Sequence, residues 1–132
     1  MTSFVITVES LADGGGPRCI EASLDRPAQT VSMTVDKPLK PATVSAEAFA
    51  VSVLTDAGWH VARIAGAEVD GASRTVTVTF REDPGAGTVR FIAFGSGRTP
   101  LLGKDGAAFA GASGGPPGAT DTGHDYVRMF VD

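Results

Sequence analysis

Hydrophobic residues in this chain recur at every second position, not at helical spacing. Val31, Met33 and Val35 alternate with Ser32, Thr34 and Asp36, and Val76, Val78 and Phe80 alternate with Thr75, Thr77 and Thr79. Phe49, Val51 and Val53 repeat the pattern. Successive side chains of a strand point to opposite faces, so each run predicts a strand with one buried face. Weaker alternation predicts strands at Phe4, Ile6 and Val8 and at Ile20, Ala22 and Leu24. A further strand is expected over Trp59–Ala65, with Trp59, Val61 and Arg63 opposed to His60, Ala62 and Ile64.

The runs end in turn chemistry. Arg26-Pro27, Thr55-Asp-Ala-Gly58, Asp70-Gly71 and Asp83-Pro-Gly85 are such breaks. Pro38 and Pro41 lack the N–H that a ladder needs, so the sheet is interrupted there. Ser45–Ala48 has room for one helical turn. No segment keeps a helical period over three turns. Many short strands divided by Gly/Pro turns predict an all-β, antiparallel sandwich of seven to nine strands.

Two segments break the one-face rule. Thr88–Phe94 is apolar on both faces after Arg90, and so is most of Asp125–Val131. A single sandwich buries one face of each strand. The surplus is therefore either an interaction surface or a face covered by the Gly/Pro-rich stretch Gly95–Gly123. The candidate interaction residues are Phe91, Ile92, Phe94, Tyr126, Met129 and Phe130. Within the Gly/Pro-rich stretch, Leu101 and Leu102 are expected to tuck into the core, and a last strand is expected to follow it.

Composition sets limits. The 132 residues read most simply as one domain, residues 1–132, with enough apolar content (42%) for a core and too little charge (20%) for disorder. More than half of the 17 glycines lie between Gly95 and Gly123. The net charge is −4 with both signs interleaved, which disfavours nucleic acid as a partner. The lone Cys19 allows no internal disulfide and, with two histidines, no Cys/His metal cluster. No cofactor is implied. No apolar run approaches the ~20 residues of a membrane-spanning helix. The opening MTSFVITVES lacks the basic and apolar regions of an export signal, so synthesis in the cytoplasm is expected, with incorporation into a particle as one fate. If the chain is part of a longer one, a surface location is expected instead.

The stretch Val31–Val53, VSMTVDKPLKPATVSAEAFAVSV, resembles the opening of bacterial Ig-like domains of the SbsA type. In that family a strand runs into a proline corner and then into a Phe-x-Val strand. SRTVTVTF and GTVRFIAFGSG are similar to its later strands, and LLGKDGAAFAG to its closing segment. The resemblance covers roughly Thr30–Gly111. It implies an Ig-like β-sandwich and a spacer or binding role, such as the family has in surface layers, adhesins and large secreted enzymes. Extra segments precede and follow the matching region.

Candidate chemistry is sparse. Gly111-Ala-Ser113-Gly-Gly115 matches G-x-S-x-G, and Asp121 and His124 follow in hydrolase order. A nucleophile elbow needs a strand-to-helix turn, whereas this match sits in a Gly/Pro loop, so no catalytic residue is assigned. Asp121, His124 and Asp125 offer too few oxygens for calcium, and a turn ahead of the last strand explains them better. Trp59 has two readings: a core residue, or an exposed ring on which a sugar stacks. The expected function is a non-catalytic structural or assembly module, a subunit or decoration of a larger assembly such as a phage tail-like particle. Its partners would be other proteins or copies of itself. The alternative is a carbohydrate-binding or adhesion module.

Overall fold

The computed structural model describes residues 15–111 and 122–131. The strand expected at Phe4, Ile6 and Val8 lies outside these residues, as do Ser113 and Asp121. Among the described residues, eight strands form two antiparallel four-stranded sheets. They are β1 (Cys19–Asp25), β2 (Thr30–Val35), β3 (Phe49–Thr55), β4 (Gly58–Ala62), β5 (Ile64–Val69), β6 (Thr75–Phe80), β7 (Val89–Ala93) and β8 (Tyr126–Phe130). The first sheet has the order β1-β2-β6-β5 and the second β4-β3-β7-β8. This is the constant-type immunoglobulin pairing with one more strand, β4, beside the third.

The alternating runs explain the core. In β2 and β6, Val31, Met33, Val35, Val76, Val78 and Phe80 point inward and are buried. From the other sheet, Val51, Val53, Val89, Phe91 and Ala93 meet them. Phe91 stacks on Phe49 at 5.8 Å and meets the Tyr126 ring edge-on at 6.4 Å. Burying one such side chain stabilises the fold by about 1.5–3 kcal/mol, before the entropy of ordering it is counted.

The proline corner carries the chain from one sheet to the other. Leu39, between the two prolines, is fully buried, and its N–H donates to Ser73 O at 2.8 Å. Two short 3-10 turns follow, Pro41–Thr43 and Ala46–Ala48. The second matches the single helical turn expected from sequence.

One expectation is corrected here. Trp59–Ala65 is not a single strand. The chain leaves the second sheet after Ala62, turns at Arg63, and enters the first sheet as β5. Ile64-Ala-Gly-Ala-Glu-Val lacks clean alternation because the register shifts between Ile64 and Gly66. A bulge hides an edge strand from a period-2 search.

The segment after β7 closes one end of the sandwich. Leu101 and Phe109 are fully buried there, while Leu102 is half-buried. Backbone bonds tie this segment to Phe94, Lys40, Pro17 and Cys19. Asp125 fastens its start: Oδ1 accepts from Gly95 N at 2.9 Å, Ser96 N at 3.1 Å and Ser96 Oγ at 2.9 Å. The described part of the segment, up to Gly111, therefore caps the core.

Two surface carboxylates give the fold an acid-sensitive component. The Arg74 N–H holds the Asp70 carboxyl below its ordinary range, helped by Thr75 N–H. The Arg63 side chain, bonded at 2.9 Å, does the same for Glu82. Both groups have depressed values in the folded state, so the unfolded chain takes up protons first as the pH falls. Their contribution is present above the ordinary carboxylate range and is lost below about pH 4. Urea midpoints measured from pH 7 to pH 3 should fall less in an Asp70→Asn, Glu82→Gln double variant than in the parent. An equal fall in both would remove these two groups as contributors.

Candidate functional site

The two sheets present unlike outer faces. On the first, Thr30, Ser32 and Thr34 lie beside Thr79, Thr77 and Thr75, with Glu21, Ser23 and Glu68 on the flanking strands. A solvated antiparallel face ordinarily looks like this. The second sheet's outer face is apolar. Its register sets Trp59 beside Leu54, and Val61 beside Ser52. Ser52 is followed across the sheet by Arg90 and then Met129; Ala50 is followed by Ile92 and then Val127. Val61 is 78% exposed, Val127 56%, Met129 47% and Trp59 40%. Contiguous apolar surface of this kind marks a contact site more often than scattered residues do.

One charged group sits in the middle of this face. Arg90 is on the inner strand β7, and its guanidinium carbon lies 4.5 Å from the Trp59 ring centroid. The stacking is a cation–π contact made across β3, which lies between the two strands. Arg90 Nε is buried and has no hydrogen-bond partner among the described residues. Arginine and tryptophan are the residue types that most often dominate binding energy at interfaces.

The structure separates the residues proposed from sequence for an interaction surface. Ile92 and Met129 are on the outer face. Phe91 and Phe130 are not: they point inward and are buried, at 0% and 9% exposure. Tyr126 is half-buried against Phe91 on the inward side. Phe94 is half-buried at the end of β7, where its N–H donates to Ala48 O and its O accepts from Leu101 N. The physical reason is pairing. Val89 lies opposite Phe130 and Phe91 opposite Arg128, and this register turns the phenylalanines to the core.

Trp59 is on the outer face and not in the core, because the register pairs it with Leu54, an outward position of β3. Sequence reasoning set Val61 on one face with Trp59 but did not join Leu54, Arg90 and Val127 to that face. The signal for the β8 members was the period-2 set Val127, Met129, Val131, which the intervening Arg128 and Phe130 obscure.

The other candidates take structural places. Asp125 is the anchor of residues 95 and 96 described above. His124 N–H donates to Phe109 O at 3.0 Å. Among the described residues no group of three or more His, Cys, Asp or Glu side chains could hold a metal ion. Cys19 is buried, and its thiol donates to Glu21 O at 3.4 Å. Burial pushes its pKa up, which opposes thiolate chemistry. No helix among the described residues is long and apolar enough to cross a membrane.

Fold and site together define an immunoglobulin-type β-sandwich with one solvated and one apolar outer face. No family model matches the chain, and no curated protein does. Among solved structures it is similar to domains 1–6 of the surface layer protein SbsC, with a TM-score of 0.57 and 19% identity over 85% of this chain and 13% of that one. The N-terminal part of the bacterial S-layer protein SbsC gives a TM-score of 0.57 and 20% identity over 84% of this chain and 23% of that one. The longer piece rSbsC(31-844) gives 0.57 and 20% over 83% of this chain and 13% of that one. At such identities the likeness is one of fold. The chain spans less than a quarter of the length of each of these structures.

Proposed function

We propose that this chain is a non-catalytic structural module, an Ig-like domain of the SbsA type, that joins a larger protein assembly through the outer face of β4-β3-β7-β8. A phage tail-like particle is the kind of assembly we have in mind. The observation that carries this reading is the apolar outer face, set against a first sheet whose outer face is mostly Ser, Thr and Glu, with Ile20 exposed on its edge strand. Water contact costs free energy at Val61, Val127 and Met129, and a partner that covers them removes that cost.

The test uses a charge placed where folding does not need the side chain. Val127→Glu should leave the unfolding temperature within a few degrees of the parent, because exposed substitutions generally shift stability by about 0.5 kcal/mol or less. In gently lysed source cells the parent protein should sediment with a large particle, and the Val127→Glu protein should remain in the slow fractions. A slow-sedimenting parent, or a variant that still pellets, would argue against the proposal.

The exposure of Trp59 favours a second reading, a carbohydrate-binding module. Arg90 occupies one face of the indole, so a sugar ring would stack on the other. Trp59 is the only tryptophan, which makes its fluorescence a direct reporter. Glycans that bind there should quench it, and silence across a broad glycan panel would remove this reading.

A further inference from the structure

We infer that the occupant of this apolar face is a different protein, one that brings a carboxylate to Arg90 within an apolar surround, and not a second copy of this chain. The inference rests on the assembly reading above and adds the partner's chemistry to it. Arg90 stands on an inner strand, in line with Val61 and Ser52 on one side and Met129 on the other. Its guanidinium is held against Trp59, and its Nε is already buried without an acceptor among the described residues. A partner that covered this face with apolar groups alone would strip water from the remaining guanidinium N–H groups as well. An unpaired buried charge is strongly unfavourable, so a partner that binds must supply an acceptor. A carboxylate matches the planar fork of arginine with two parallel hydrogen bonds.

Among the described residues, no carboxylate stands on this face beside Arg90. The outward positions of β3, β4, β7 and β8 include no Asp or Glu. Two copies related by a two-fold axis would each contribute the same face, because an isologous contact pairs a patch with itself. With Arg90 near the middle, a two-fold contact centred there sets two guanidinium groups near each other, and the strands of the face bring no carboxylate to either. A heterologous partner with one Asp or Glu meets both needs. Fixing Arg90 on Trp59 before binding reduces the ordering cost of the contact.

The test is photo-crosslinking in source cells with the full chain carrying benzoylphenylalanine at Val127, and at Thr77 on the Ser/Thr face as control. Mass spectrometry then identifies the crosslinked peptide. We expect a non-self peptide with an Asp or Glu among apolar residues, captured from position 127 and not from 77. Arg90→Glu should cut the crosslink yield at least tenfold, as loss of a desolvated charge pair does. Arg in place of the partner's carboxylate should restore it in the Arg90→Glu background. Arg90→Gln, which keeps the polar stem without the charge, should give a similar loss if Arg90→Glu folds poorly. A non-self crosslink that Arg90→Glu and Arg90→Gln leave unchanged overturns the carboxylate inference and spares the assembly reading. A covalent homodimer does the same. No crosslink from position 127 above that from 77 overturns both.

Discussion

Gly95→Ala is expected to cost about 3 kcal/mol or more, the upper end of what overpacking does, and to lower the melting temperature by on the order of 10 °C. A β-carbon at this position would lie 2.1 Å from Phe109 O and 2.3 Å from His124 O. Both are backbone atoms in bonded segments, and Phe109 O accepts from Gly123 N and His124 N at 3.0 Å each. Neither segment can withdraw without breaking those bonds. The Gly95 N–H also donates to Asp125, so a shift there loosens the entry to β8. With a typical total stability of about 5–15 kcal/mol, the loss removes a large part of it. Gly66→Ala is the internal control, since a β-carbon there meets nothing within 4 Å. It should change stability by about 1 kcal/mol or less. Urea unfolding of the two variants gives the comparison. Equal midpoints would mean that the three segments do not converge at Gly95 as described.

Phe91→Ala and Ile92→Ala should behave oppositely, although the residues are adjacent. Phe91 is fully buried and packs on Phe49 and Tyr126, so its truncation should cost about 3–5 kcal/mol. Ile92 is half-buried on the outer face, between Ala50 and Val127. Its truncation should cost about 1 kcal/mol and weaken association instead. Thermal unfolding measures the first effect, and sedimentation with the particle measures the second. If Ile92→Ala proved the more destabilising of the two, the assignment of faces on β7 would be reversed.

This pair shows where sequence reasoning stops. In β2 and β6, hydrophobic and polar positions alternate, so their inward faces are legible without a structure. In β7 and β8 both faces are apolar, and alternation no longer says which is inside. Grouping Phe91, Ile92, Phe94, Tyr126, Met129 and Phe130 as one surface mixed core residues with outer-face residues. β5 escaped notice for a related reason: its bulge breaks the period that would have revealed it. Trp59 was ambiguous because a lone tryptophan suits either environment, and only its pairing opposite Leu54 decides.

The residues alone determined the all-β class, the proline corner and most strand positions. They also predicted that Leu101 would be drawn into the core. Those features depend on local chemistry: period-2 patterning, the missing N–H of proline and the turn habits of Asp-Gly. The partition of apolar strands between core and surface was decided only by tertiary structure, as was the placing of Arg90 over Trp59 within one face. The reason is register. Which side chains share a face depends on which residues of distant strands lie opposite one another, and a shift of one residue exchanges the two faces.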